Sequence, residues 1–141
     1  MIWKQNFTVE ALNATGANAL HEHLGIEILE VGDDYLTARM PVDHRTVQPY
    51  RILHGGASVV LAETLGSIAS MICLEDVERQ GAVGVEINAI HLRPAREGEW
   101  VYGKVEPIKV GRRLHVWQIT IRNAADKKVC VSRLTVAVVD R

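Results

Sequence analysis

From Ala57 to Cys73 the chain reads "ASVVLAETLGSIASMIC", in which every residue is apolar or small apart from a few hydroxyls and one carboxylate, Glu63. A helix from about Gly55 to Leu74 is apolar on nearly every side, so other structure has to enclose it. At 1.5 Å per residue, about twenty residues reach ~30 Å, enough to cross a whole small sheet. Glu63 interrupts the run and argues against a membrane span. With 141 residues, 48% apolar and 23% charged, the chain has the size and make-up of one globular domain over residues 1–141.

The flanking segments supply the enclosure. "TVEALNATGANALHEHL" opens on Thr8, a suitable N-cap, and is broken at Gly16, which predicts two short helices. "GIEILEVGDDYLTARMPVD" alternates on both sides of a "GDD" turn and predicts a hairpin over roughly residues 25–42. After the long helix, "AVGVEINAIHLRPA", "EWVYGKVEPIKVG", "RRLHVWQITIRN" and "KKVCVSRLTVAVVD" predict four more strands. The fold class is therefore α+β, an antiparallel six-stranded sheet wrapped around a central helix. The N-terminal "MIWKQNFTVEAL" lacks the apolar core of a signal peptide. Cys73 and Cys130 stand far apart without metal-ligand spacing, so the expectation is two reduced packing thiols in a cytoplasmic protein with no metal and no cofactor.

A net charge of −1 and 5% aromatics offer little to nucleic acid. The charge is unevenly spread: residues 1–90 carry five Lys/Arg against twelve Asp/Glu, and residues 91–133 carry ten against four. Basic residues there either solvate strand faces and turns or form a local site for phosphates.

Burying an unpaired carboxylate costs several kcal/mol, so Glu63 is either compensated by a partner that fixes helix packing or kept for chemistry. Ser67 and Ser70, four and seven residues on, share its helical face. Upstream, "HGG" puts His54, Gly55 and Gly56 where the helix begins. That is either an ordinary Gly-rich turn or a set of open N–H groups facing an anion, reinforced by the helix dipole. Eight residues separate Gly55 from Glu63, ~12 Å along a helix, whereas oxyanion donors stand ~3 Å from the reacting oxygen. One helix cannot supply both groups. Two antiparallel copies about a two-fold axis can, which predicts a homodimer with two shared sites.

"QPYRILHGGASVVLAETLGS", "VGVEINAIHLRPAREG" and "VWQI" together resemble the hotdog-fold acyl-CoA thioesterases. The branch is the Glu-dependent one acting on aromatic acyl-CoAs, which includes 1,4-dihydroxy-2-naphthoyl-CoA thioesterases of menaquinone biosynthesis and enterobactin-pathway proofreading thioesterases. The resemblance runs from "MIWK" through "MPVDHRT" to "SRLT". It implies hydrolysis of a thioester to the free acid and coenzyme A, with Glu63 as nucleophile through a mixed anhydride or as the base that activates water. It implies that the Gly55 N–H polarises the thioester carbonyl with help from Gln48 and His54, that Ser67 orients the carboxylate or water, and that His91 stands near the acyl group or the attacking water. It further implies that coenzyme A lies along "HLRP" and "VGRR", which assigns Leu92, Arg93, Pro94, Gly111, Arg112 and Arg113 to the substrate, with Gly84 lining the channel. Members commonly assemble as dimers of dimers, so a homotetramer is expected.

Departures from the family pattern are Arg51 where Gly is common, placing a cation beside the catalytic loop, Ile90, Ser70 where Gly is often seen, and a longer "EDVERQG" loop. His21 and His23 on a short exposed helix, His44 in a loop and His115 on a strand able to turn it outward are assigned no catalytic part. Two other functions fit such a fold: a hydratase or dehydratase, whose histidine loops usually carry proline, and an acyl-CoA-binding sensor, which needs no carboxylate at the thioester.

Overall fold

The computed structural model describes residues 1–141. Two short helices, α1 (Val9–Ala14) and α2 (Leu20–His23), precede a hairpin of β1 (Glu27–Val31) and β2 (Leu36–Pro41). The long helix α3 (Gly55–Ile72) follows, and the chain closes with β3 (Gln80–His91), β4 (Trp100–Val110), β5 (Leu114–Asn123) and β6 (Lys128–Asp140). All six strands pair antiparallel in the order β1-β2-β4-β5-β6-β3. The chain thus leaves an inner strand, β2, crosses the sheet as α3 and returns at the far edge as β3. The predicted elements are all present, and α3 stops at Ile72 because Cys73 caps it.

Thr8 starts α1 as expected, its hydroxyl accepting the Ala11 N–H at 3.1 Å. At the other end of the core, the N-terminal segment closes α3: the N–H groups of Lys4 and Gln5 donate to the Ile72 carbonyl at 2.8 and 3.0 Å. That occupies one of the carbonyls a helix end leaves open. Trp3 fixes this segment by donating its indole N–H to the Gly32 carbonyl at 2.6 Å and stacking on Trp117, with ring centroids 6.3 Å apart.

The core lies between α3 and the concave face of the sheet, where Leu61 and Leu65 meet Trp117, Ile119 and Leu134, all buried. Each fully buried Leu contributes about 1.5–3 kcal/mol. Contact is close enough that a Cβ on Gly66 would collide with the Leu134 side chain, and one on Gly103 would stand 2.7 Å from Leu65 Cδ1. Small residues at these two positions set the helix-to-sheet distance.

Two expectations about orientation fail. Ser70 does not continue a polar stripe with Glu63 and Ser67; it is fully buried under the sheet, where its hydroxyl accepts the Trp117 indole N–H at 2.7 Å and lies 2.9 Å from His115 Nδ1. His115 points inward for the same reason, with its ring edge-on to Trp117. The sheet also covers only one side of α3. Val59, Val60, Glu63, Thr64, Ser67 and Met71 remain half-buried on the other. The apolar character that would pass for a membrane-crossing helix by length and composition belongs to a core helix enclosed on one flank.

Candidate active site

The start of α3 is built by its own sequence. His54 is the N-cap in an extended conformation, and its Nδ1 accepts the Gly56 N–H at 2.7 Å while its carbonyl accepts from Ala57 and Ser58 at 2.9 and 3.3 Å. These bonds leave Gly55 as the first-turn residue whose N–H has no partner in the chain. An open N–H at the positive end of an 18-residue helix is suited to a developing oxyanion. His91, at the end of β3, lies against it: a Cβ on Gly55 would stand 2.9 Å from His91 Nε2.

Gln48 approaches from the loop before α3. Its backbone N–H donates to the Ile52 carbonyl at 2.9 Å, and its Oε1 accepts the Tyr50 N–H. With the oxygen engaged, the side-chain NH₂ is the end left to donate. Gln48, Gly55 and His91 line one pocket of about 450 Å³ with Leu92, Arg93 and Pro94.

Arg51 holds that loop. It adopts a left-handed conformation, φ 63°, that suits the glycine expected from the resemblance. Its guanidinium grips Glu97 through two bonds of 2.7 and 2.8 Å, and its carbonyl accepts the Glu97 N–H at 3.2 Å. The guanidinium, hydrogen-bonded to Glu97, holds that carboxyl below the usual carboxylate range. The cation anticipated beside the catalytic loop is therefore already paired with Glu97 and largely exposed to solvent.

Glu63 and Ser67 stand in a second pocket of about 410 Å³, on the uncovered flank of α3, with Val59, Val60, Thr64 and Ile68 of the same helix and Leu20 and His21 of α2. Glu63 is half-buried and makes no hydrogen bond or ion pair within the chain, so the compensating partner that a structural role calls for is absent. Gly84 of β3 abuts it, a Cβ there falling 2.8 Å from Glu63 Oε2. The ladder to β6 shifts register between Gly84 and Glu86, a bulge of the kind that re-aims side chains beside sites.

The candidate residues are thus divided. Gln48, Gly55 and His91 gather at the helix start, Glu63, Ser67 and Gly84 two turns further on, and no residue is common to the two pockets. The basic residues divide likewise. Arg93 donates to the Lys128 carbonyl at 3.1 Å beside the first pocket. Gly111, Arg112 and Arg113 form the β4–β5 turn, where Leu114 pairs with Ala137 and Ala137 with Val83, whereas His91 pairs with Cys130. Eight residues of β3 therefore separate the two basic groups, ~26 Å of extended chain.

His21 is the pocket residue that the sequence hid. Its neighbour His23 is exposed as expected, but His21 is packed over Gly16, where any side chain would collide with the ring. Gly16 before a histidine five residues on is the only local signal, and it reads equally well as a helix stop.

A family model of the thioesterase superfamily matches residues 50–130. The chain belongs to that superfamily, has its hotdog fold and is a thioester hydrolase. It is 51% identical over 138 residues to the 1,4-dihydroxy-2-naphthoyl-CoA hydrolase of Escherichia coli K12, covering 98% of this chain and 99% of that protein. It is 50% identical to the proofreading thioesterase EntH of Cronobacter turicensis, over 98% of each. The crystal structure of a Haemophilus influenzae thioesterase, 53% identical, superposes with a TM-score of 0.94 over 99% of this chain and 96% of that one.

Proposed function

We propose that this chain, acting as a single domain over residues 1–141, hydrolyses aromatic acyl-CoA thioesters to the free acid and coenzyme A, at sites shared between two copies. The observation that carries this is the unpaired carboxylate of Glu63 on the same helix as the unpartnered Gly55 N–H, in separate pockets. Hydrolysis needs both groups at one carbonyl.

The edge strand suggests how they meet. Gly84 marks the Glu63 pocket and His91 the Gly55 pocket, and both lie on β3, whose outer edge is unpaired. Antiparallel pairing of two β3 strands about a point between Ile87 and Asn88 sets Gly84 of one copy opposite His91 of the other. Glu63 of one chain then faces Gly55 of its partner, and the Gly111–Arg113 turn of one approaches Leu92–Pro94 of the other. That gives the nucleotide phosphates of coenzyme A two basic groups at a single site. Exposed Val83, Val85 and Ile90 on the same strand favour such a contact.

In the shared site, the Gly55 N–H and the Gln48 NH₂ donate to the thioester oxygen as it gains charge, and removal of one such donor costs about 100- to 1000-fold in kcat. Glu63 attacks the carbonyl carbon, expelling coenzyme A thiolate and leaving a mixed anhydride that water opens, or it takes the proton of the attacking water directly. Ser67 and His91 orient the carboxylate and water. Cytoplasmic location agrees with two buried free thiols. Further pairing of dimers into a tetramer follows the family pattern.

The test is thiol release from benzoyl-, hydroxybenzoyl-, hydroxynaphthoyl- and straight-chain acyl-CoA by wild type and Glu63→Gln. Aromatic turnover with a loss of at least ~100-fold in the variant supports the assignment. Equal activity in the variant refutes it. Mixing inactive Glu63→Ala and Gln48→Ala chains under subunit exchange tests sharing: recovered activity supports it, and inactive verified heterodimers refute it.

A further inference from the structure

We infer that His21 is a specificity residue, which donates a hydrogen bond to a ring hydroxyl of an aryl acyl group held against Glu63; the inference rests on the aryl-thioesterase function proposed above. His21 and Glu63 line the same pocket, whose volume of about 410 Å³ suits one small ligand moiety and is at the low end for whole-ligand sites. Its walls at Leu20, Val60 and Ile68 are apolar and suit a flat ring.

The two nitrogens of the imidazole stand in different surroundings. Nε2 is sealed from solvent over Gly16 and has no hydrogen-bond partner. Nδ1 has no partner in the chain either, but unlike Nε2 it is not sealed. A sealed N–H without an acceptor is among the rarest features of folded proteins, more so than an under-used acceptor. The neutral tautomer that avoids it carries the proton on Nδ1 and leaves only a lone pair against Gly16. Nδ1–H is then the accessible donor of a residue that lines the pocket.

Glu63 must stay free to react, so it is not the partner that His21 serves. Ser67 and Thr64 line the pocket from α3, and His21 lines it from α2. A ring seated between them, with its thioester carbon toward Glu63, presents its far substituents to α2. An oxygen there accepts from Nδ1–H, and a bare ring leaves that donor without an acceptor. Discrimination of this kind exceeds what apolar walls achieve, because the unpaired polar group penalises the wrong substrate.

The experiment measures kcat/KM for a hydroxynaphthoyl-CoA and naphthoyl-CoA pair, and for a hydroxybenzoyl-CoA and benzoyl-CoA pair, in wild type, His21→Phe and His21→Asn. Phenylalanine keeps the ring over Gly16 and removes both nitrogens; asparagine restores a donor near the Nδ1 position. The expected result is a preference for at least one hydroxylated partner that falls roughly tenfold in His21→Phe, the worth of one hydrogen bond, and recovers in part in His21→Asn. Unchanged ratios in His21→Phe, with wild type active on both members of each pair, overturn the role of His21 and leave the thioesterase function standing. Failure of wild type on all four aryl thioesters overturns both.

Discussion

The carboxylate of Glu63 rests against the backbone of Gly84, with room for a hydrogen and none for a methyl group: a Cβ at position 84 would stand 2.8 Å from Oε2. Gly84 lies outside the left-handed region, so alanine fits the backbone and acts only on the carboxylate. Gly84→Ala is expected to lower kcat by about 10- to 100-fold, as displacements near 1 Å do, with a melting temperature within a few degrees of wild type. Steady-state kinetics alongside thermal unfolding check this, and unchanged kcat would show that the Glu63 position is not critical.

Glu63 has no partner in the chain, so neutralising it removes a desolvation cost and breaks no bond. Glu63→Gln is expected to melt at or above the wild-type temperature while losing activity, the trade-off common to functional sites. Calorimetry decides it; a clear fall in melting temperature would reveal a structural partner.

Ser70 satisfies the Trp117 indole under the sheet. Ser70→Ala leaves that N–H buried and alone, at an expected cost of about 1–3 kcal/mol. Ser70→Gly, which restores the residue often found in the family, is expected to cost at least as much, since the hydroxyl is lost and helix propensity falls. Chemical denaturation measures both.

Burial holds the His115 imidazole below its ordinary value, outweighing the opposite influence of the nearby Gly111 backbone. Between the lowered folded value and the unfolded value near 6.5 the unfolded chain binds more protons, so stability rises with pH across that window and is lost on acidification. The difference in melting temperature between pH 7.5 and pH 5.5 is expected to shrink in His115→Gln; an unchanged difference would assign the acid sensitivity elsewhere.

Arg51 combines an unfavourable backbone conformation with a two-bond grip on Glu97. Glu97→Gln weakens the grip and keeps the strain, whereas Arg51→Gly removes both. Arg51→Gly is therefore expected to be the more stable of the two, and both are expected to lower kcat by loosening the loop that carries Gln48. The reverse stability order would mean that the ion pair outweighs the strain.

Much of this molecule is legible from periodicity. The enclosing strands follow from alternation, α3 from its apolar run, and the interest of Glu63 from its isolation in that run. What escapes is direction at close range. Ser70 lies within one helical face of Glu63 by spacing, yet it is buried against β5, bonded to Trp117 and His115. His115 can face either way until the β4–β5 register puts it opposite Val110. His21 sits on a four-residue helix whose packing depends on a glycine five positions earlier. In each case a tertiary contact decides, and no local pattern encodes it.

β3 is twelve residues long, stands at the margin of the sheet and bears Val83, Val85 and Ile90 in the open. Its backbone therefore carries a row of unspent N–H and C=O groups, with no proline or bulky shield along the row to repel a stranger. Under the proposed pairing of two copies along β3, a nascent chain has to find its partner's strand before it meets a wrong one, so yield after dilution from denaturant should pass through an optimum in protein concentration. Below it, encounters between folded chains are too rare; above it, unfolded strands reach the exposed margin first.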